Sequence, residues 1–320
     1  MDEDRGAVAA PGRVSATSWA EVVRLRTLPA ALAPVVLGAG AAVLLDSFSA
    51  PRTVLAAGVA LALQIGSNLA NDYSDGVRGT DDHRVGPPRL TASGLVPPAT
   101  VRNAALGCFG AAGVLGLVLV ALSGQWWLLG VGAAAVAAAW FYTGGSHPYG
   151  YAGFGEVFVF VFFGLVAAAG TLYVQAGSVP GWLWAAACGI GLIACALLMV
   201  NNLRDIATDP AHGKRTLAVR LGERRSRGTF TLMAGAPVPL AALALTWAAQ
   251  DSGAGPLPVP GLLGGAAGLV LLGLLAGRAI APVLRGATGA DLIGVLRDVG
   301  LYELAYGAVM ALGLVALGAR

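Results

Sequence analysis

The chain has 320 residues, of which 57% are hydrophobic and only 12% are charged, and its mean hydropathy is +0.73. Soluble domains usually carry about 25% charged residues, so this composition excludes a soluble globular domain and predicts an integral membrane protein. The net charge of +3 becomes informative only when the charges are assigned to the loops between apolar segments.

The chain begins with a polar segment, residues 1–28, that we expect to lie in the cytoplasm. It opens on the acidic residues Asp2 and Glu3, and no short apolar core with a cleavage site follows, so we expect no signal peptide. Ser18 and Glu21 have the spacing of a capping box, which predicts a short interfacial helix ahead of the first span.

Residues 29–320 are predicted to form one all-α, polytopic membrane domain. Apolar runs of about 20 residues are long enough to cross a bilayer as helices. Nine such runs occur, at residues 30–47, 53–71, 101–122, 126–143, 154–175, 182–201, 229–249, 261–281 and 299–318.

The distribution of basic residues predicts the orientation of these spans. If the N-terminus is cytoplasmic, every Lys and Arg except Arg52 and Arg320 lies on the cytoplasmic side. An excess of Lys and Arg in cytoplasmic loops is the usual arrangement. We therefore expect a plasma-membrane (inner-membrane) protein whose N-terminus is inside and whose C-terminus is outside.

Two polar segments interrupt the apolar pattern, at residues 68–82 and 201–209. Asn71 and Asp75 in the first are matched by Asn201 and Asp205 at the same spacing in the second, which indicates a pseudo-repeat. Both segments follow directly on a predicted span and face the cytoplasm. Carboxylates at the edge of a membrane core are costly, so the pair predicts a functional site. The alternative is that these acids pair with nearby arginines and only anchor helix ends.

The residue types of the two segments are those of a metal and diphosphate site. Acids near helix C-termini are disfavoured unless a cation compensates, and oxygen ligands without His or Cys suit Mg²⁺. Arg78, Arg204, Lys214 and Arg215 stand beside the acids. Carboxylates, metal and basic side chains together can hold a diphosphate and stabilise its departure. Because the site lies in a membrane domain, we expect the rest of the substrate to be a lipid, which favours an isoprenoid diphosphate.

With these motifs the sequence resembles the UbiA superfamily of intramembrane aromatic prenyltransferases, most closely its 1,4-dihydroxy-2-naphthoate polyprenyltransferase branch. The resemblance covers nearly the whole chain from about residue 20. Four stretches carry it, namely Arg26–Pro29, Asn71–Asp81, Tyr142–Glu156 and Asn201–Gly222. The general superfamily pattern has an acid four residues after Asp75. That position is Gly79 here, and the acid comes at Asp81, a shift that the naphthoate branch shares.

The resemblance implies roles for individual residues. Asp75, Asp205 and Tyr142 would be catalytic, with Tyr142 facing an allylic cation. Residues Asn68, Arg78, Lys214 and Arg215 would contact the diphosphate. The Mg²⁺ ligands would be Asn71, Asp72, Asp75, Asp81, Asn201, Asp205 and Asp209.

The resemblance also implies a fold and a reaction. The fold is a bundle of nine helices around a central cavity, with the cytoplasmic loops as a cap. The substrates are a polyprenyl diphosphate and 1,4-dihydroxy-2-naphthoate, and prenylation with loss of the carboxylate gives demethylmenaquinone for menaquinone biosynthesis. The expected partners are these substrates and membrane lipid, without nucleic acid.

Three alternatives remain at the level of sequence. The first is the same chemistry on another acceptor, such as 4-hydroxybenzoate, homogentisate, haem or a chlorophyllide. The second is a CDP-alcohol phosphotransferase, which the sequence after Asp75-Gly76 does not favour. The third is a membrane cation transporter, although its carboxylates would be expected in mid-span rather than at the inner ends of spans.

Overall fold

The computed structural model describes residues 28–79, 90–91, 94, 96–253 and 259–319. All regular structure in these ranges is helical, as the sequence predicts. The predicted interfacial helix at the N-terminus and the predicted metal ligand Asp81 lie outside the described residues.

Twelve α-helices follow one another along the described chain. They are α1 (Leu28–Leu44), α2 (Ala50–Val77), α3 (Pro98–Ser123), α4 (Leu128–Phe141), α5 (Gly155–Val159), α6 (Ala167–Ala176), α7 (Gly181–Arg204), α8 (Leu217–Leu221), α9 (Glu223–Gly235), α10 (Pro237–Asp251), α11 (Val259–Leu284) and α12 (Leu292–Gly318). A π-helix at Phe160–Val166 joins α5 to α6, and short 3₁₀ turns lie at Tyr149–Ala152, Asp209–His212 and Gly289–Asp291.

The described residues contain seven helical segments that are long and apolar enough to span a membrane. Two further apolar helices, α1 and α4, are shorter than a full span. Each of the nine predicted runs therefore has a helical counterpart, but only seven have the length of a span. Helices are expected here because every backbone polar group in lipid must be paired within its own segment.

The largest core cluster lies around α7. Trp182, Ile190 and Met199 of this helix are buried, and they pack with Tyr302 and Tyr306 of α12 and with other buried residues. Helix α12 also packs along α1, and α2 packs along α3. Small residues allow the close approaches: a Cβ on Gly164 would lie 2.5 Å from the Cα of Gly191. Glycine at such crossings is typical of helices packed in membranes.

The C-terminal ends of α2 and α7 differ, although their sequences are related. Helix α2 continues past Asp75 and ends at Val77, so Asn71 and Asp75 share one helical face as predicted. Helix α7 ends at Arg204, and Asp205 is its C-terminal cap. The stripe predicted from Asn201 to Asp209 is therefore not one continuous helix. Pro210 disfavours α-helix at the residue before it and instead supports the short turn that begins at Asp209.

Candidate active site

A cavity of about 780 Å³ lies among the helices, and both polar segments border it. Along α2 its lining changes from Ala56 and Val59 to Asn71 and Asp75, so one end is apolar and the other is polar. Along α7 the lining changes in the same direction, from Ala194 to Asp205. The cavity can therefore hold a molecule with a hydrocarbon body and a charged end.

Asp75 is the best-connected acid of the first segment. Its residue is only 4% exposed. The Tyr151 hydroxyl donates to Asp75 Oδ1 at 2.5 Å, and Lys214 Nζ lies 3.3 Å from Asp75 Oδ2. Lys214 follows the second polar segment in sequence, so this ion pair joins the two segments in space.

Two cations also lie near the ring of Tyr151. Lys214 Nζ is 4.9 Å from the ring centroid, and the Arg78 guanidinium carbon is 5.4 Å from it. Cations at this distance from an aromatic face are attracted to it. The Arg78 guanidinium also donates to the carbonyl oxygens of Thr143 and Gly145, and it does not line the cavity. Arg78 thus ties the end of α2 to the loop after α4.

Asp72 lies next to these residues, but its carboxylate oxygens bond to a different part of the chain. Its carboxylate accepts hydrogen bonds from the backbone amides of Leu90 and Thr91, at 3.1 and 3.0 Å. The side chain is fully buried. Carboxylates bonded to backbone amides commonly fix loops, and this one attaches residues 90–91 to the C-terminal end of α2.

In the second segment, Asp205 forms an ion pair with the residue beside it. The Arg204 guanidinium donates two hydrogen bonds to Asp205, at 2.7 and 2.5 Å, and both side chains are largely buried. Asp209 lies on the cavity wall, and its carbonyl oxygen accepts a hydrogen bond from the backbone amide of Lys214. Asn201 also borders the cavity. The helix-end pairing considered as an alternative is thus present at Asp205, whereas Asp75 is contacted from other loops.

A row of aromatic rings forms one wall of the cavity. Tyr142 meets Tyr149 edge to face at 5.5 Å, and Tyr149 stacks on Phe158 at 4.0 Å. The Tyr149 hydroxyl donates to the carbonyl oxygen of Ala138, and burial raises the pKa of this phenol, so it remains a neutral donor. Gly150 permits this packing, since a Cβ there would lie 2.6 Å from the carbonyl oxygen of Tyr142.

Comparisons with known proteins agree with this arrangement. Residues 31–285 match the model of the UbiA prenyltransferase family. The chain is 49% identical to 1,4-dihydroxy-2-naphthoate octaprenyltransferase of Mycobacterium tuberculosis, over 95% of this chain and 98% of that protein. It is 40% identical to the protein of the same name from Escherichia coli, over 66% of this chain and 70% of that one.

The chain belongs to the UbiA prenyltransferase family.

Solved structures of UbiA homologues share the fold at low sequence identity. An apo homologue from Aeropyrum pernix superposes with a TM-score of 0.63 at 16% identity, covering 89% of this chain and 96% of that one. A homologue from Archaeoglobus fulgidus, solved with DMAPP and Mg²⁺ bound, has a TM-score of 0.62 at 14% identity, covering 93% and 99%.

Most residues that sequence analysis assigned to a UbiA-type site do border one cavity. Those that line it are Asn68, Asn71, Asp72, Asp75, Tyr142, Asn201, Asp205, Asp209 and Lys214. Arg78 and Arg215 do not line it. Arg215 is exposed, and its backbone amide donates to the carbonyl oxygen of Tyr151 at 2.8 Å, so it supports the loop that carries Tyr151.

Two residues of this UbiA-type site were not assigned from sequence. Tyr151 contacts Asp75 directly, and Arg204 pairs with Asp205 on the cavity wall. Both lie inside stretches that carried the family resemblance. The signal for Arg204 was its position between Asn201 and Asp205, where a cation can reach the neighbouring acid.

The donor atoms of this site fit a hard divalent cation in chemical type. Six of the predicted ligands line the cavity with carboxylate or amide oxygens, namely Asn71, Asp72, Asp75, Asn201, Asp205 and Asp209, and Mg²⁺ prefers such ligands. Within the ranges that the structure describes, no three His, Cys, Asp or Glu side chains are gathered into a metal-binding group. Lys214 and Arg204 contribute positive charge beside these acids.

Proposed function

We propose that this protein transfers a polyprenyl group from a polyprenyl diphosphate to 1,4-dihydroxy-2-naphthoate, in menaquinone biosynthesis. The reaction releases pyrophosphate and, with loss of the carboxylate as CO₂, gives the skeleton of demethylmenaquinone. Relatives that carry the name of this activity support the proposal, the nearest reported above being 49% identical over 95% of the chain.

One observation carries the proposal. Asp75 and Asp205, from two segments 130 residues apart in the chain, lie with Lys214 on the polar end of a cavity whose other end is apolar. A substrate that combines a diphosphate with a hydrocarbon tail matches this polarity.

The side chains at the polar end would bind and orient the diphosphate. Lys214 and Arg204 supply positive charge where the leaving group gains negative charge, which lowers the barrier to its departure. Tyr151 holds the Asp75 carboxylate in place. Tyr142 and the aromatic row beside it would shield the allylic carbon from water and offer π-electrons to its developing positive charge.

Mg²⁺ is the metal that we propose for this reaction. Asn71, Asp75, Asn201, Asp205 and Asp209 would hold it, and bound Mg²⁺ would neutralise the charge of the diphosphate. Asp72 and Asp81 remain proposals as ligands. For Asp72 a loop-fixing role has the better support, since both of its oxygens already accept backbone hydrogen bonds.

We also propose that the polar end of the cavity faces the cytoplasm. The support is the placement of Lys and Arg in the loops on that side. A cysteine introduced at Ser123, in the short α3–α4 turn, should then react with a membrane-impermeant thiol reagent in intact cells. Labelling of that position only after cell lysis would show that the protein has the opposite orientation in the membrane.

The function is tested with purified protein in detergent, a polyprenyl diphosphate, Mg²⁺ and separate acceptors. We expect a prenylated, decarboxylated product from 1,4-dihydroxy-2-naphthoate and its disappearance with a chelator. Asp75→Asn and Asp205→Asn should each lower kcat/KM by about 100-fold or more, as loss of a charged group from a reacting site typically does. The matched control is Asp251→Asn, an exposed acid at the far end of α10.

The acceptor panel decides between the remaining readings. Transfer to 4-hydroxybenzoate or homogentisate but not to the naphthoate would replace the proposed acceptor and keep the prenyl-transfer chemistry. Transport of a metal cation across liposome membranes by the protein, without any prenyl transfer, would favour a cation transporter and would contradict the enzymatic proposal.

A further inference from the structure

In the described part of the chain no group donates a hydrogen bond to Glu303, although this residue lies in the middle of a membrane-spanning helix. The residue is fully buried, and neither carboxyl oxygen has a hydrogen-bond partner among the described residues. It lies 11 residues into α12, which places it ~16 Å from the start of the helix at 1.5 Å per residue. A buried carboxyl group without a partner is costly and in a membrane protein usually marks a functional position.

Other buried acids in the described part of the chain do have partners. On the same helix, Asp298 pairs with Arg278 and Arg297, at 2.9 and 3.2 Å. Asp205 pairs with Arg204. For Glu303, by contrast, both carboxyl oxygens lack a hydrogen-bond partner among the described residues, whereas Glu156 lacks one for a single oxygen.

Glu303 borders the active-site cavity. On the neighbouring helix α7, Asn202 also borders it and donates a hydrogen bond to Glu156 Oε1 at 3.1 Å. We define the polar arm of the cavity by its two lining residues, Asn202 and Glu303, with Glu156 behind Asn202.

The polar arm differs from the rest of the cavity wall. On α3 and α4 the lining consists of residues such as Leu119, Val120 and Val131, which suit a hydrocarbon tail. A hydrocarbon tail beside Glu303 would leave its carboxyl group unpaired. The arm instead requires a ligand that brings hydroxyl donors on an otherwise apolar body.

From this geometry we propose that Glu303 binds a ring hydroxyl of the aromatic acceptor, so that the polar arm is the acceptor subsite. The inference rests on the proposed function, because the acceptor is the substrate that carries hydroxyl groups on an apolar ring. The acceptor's own carboxylate is attracted to Lys214 and Arg204 at the polar end. The two interactions together would fix which edge of the ring faces the allylic carbon.

The test compares Glu303→Gln and Glu303→Leu with wild type in steady-state assays with 1,4-dihydroxy-2-naphthoate, a polyprenyl diphosphate and Mg²⁺. We expect Glu303→Leu to raise the acceptor KM about tenfold or more, with a smaller rise for Glu303→Gln and little change in the diphosphate KM. The matched control is Tyr302→Phe, which removes a neighbouring buried hydroxyl that does not border the cavity.

Two further readouts separate binding from a structural role. Because Glu303 has no partner to lose, Glu303→Leu should keep or raise the thermal unfolding temperature of the protein without substrates. Wild type should bind 1-hydroxy-2-naphthoate or 4-hydroxy-2-naphthoate, each of which lacks one hydroxyl, more weakly than 1,4-dihydroxy-2-naphthoate. One of these analogues lacks the hydroxyl that Glu303 binds. Glu303→Leu should bind that analogue and 1,4-dihydroxy-2-naphthoate with equal affinity.

The outcomes distinguish failure of the proposed function from failure of the acceptor subsite alone. Failure of wild type to prenylate the naphthoate would overturn the proposed function and the acceptor subsite with it. Normal wild-type transfer with an unchanged acceptor KM in both Glu303 variants would overturn the subsite alone. A lower unfolding temperature in Glu303→Gln, with no selective change in acceptor KM, would assign Glu303 to folding instead.

Discussion

The hydrogen bond between Tyr151 and Asp75 gives a sharp prediction. Tyr151→Phe removes one donor hydroxyl and keeps the ring that lies near Lys214 and Arg78. Asp75 is only 4% exposed, so water has little access to replace the lost donor. Hydrogen bonds to charged groups contribute about 1.5–3 kcal/mol. At 1.4 kcal/mol per factor of ten, the variant should lose about 10- to 100-fold in kcat/KM for the polyprenyl diphosphate.

The assay measures prenyl transfer at saturating 1,4-dihydroxy-2-naphthoate over a range of diphosphate and Mg²⁺ concentrations. Tyr173→Phe is the matched control, since its hydroxyl donates to Gln125 at 3.1 Å and does not border the cavity. The control should keep wild-type kcat/KM. If Tyr151→Phe also retains full kcat/KM, Asp75 does not need this donor, and the role assigned to Tyr151 is wrong.

Three further substitutions probe the support of the site. Arg204→Met leaves the buried Asp205 carboxylate without its ion-pair partner, so the free energy of unfolding should fall by about 3–5 kcal/mol, measured as a lower unfolding temperature in detergent. Gly150→Ala places a Cβ 2.6 Å from the Tyr142 carbonyl oxygen, so activity should drop more than thermal stability; equal activity would show that the loop adjusts freely. Asp72→Asn weakens two backbone hydrogen bonds, so hydrogen exchange at residues 90–91 should accelerate, and unchanged exchange would remove its loop-fixing role.

The helical framework could be predicted from sequence because lipid leaves so few options. A long apolar run has to satisfy its own backbone groups, and only a helix does so within one segment. Hydropathy does not set helix length to within a turn, which is why α4 covers Leu128–Phe141 rather than the predicted 126–143. It also does not reveal the π-helix at Phe160–Val166, since this segment has the same apolar composition as its flanks.

Sequence spacing anticipated the geometry where neighbours in sequence share a helical face, and it did not provide the partners that come from distant loops. Asn71 and Asp75 do share a face of α2. The partners of Asp72 depend on the path of the chain 18 and 19 residues later, which no spacing rule provides. Glu303 stands alone in its apolar run and has no matching residue at a fixed distance, so only its presence in mid-span marks it.

The two acidic segments are related in sequence but not equivalent in the fold. In the second segment Asp205 is paired by its own neighbour Arg204, so its charge is balanced locally. In the first, Lys214 reaches Asp75 from the loop that follows the second segment. The same lysine is bonded through its backbone amide to Asp209. Lys214 therefore couples the C-terminal ends of α2 and α7, so the geometry of the polar end depends on both acidic segments.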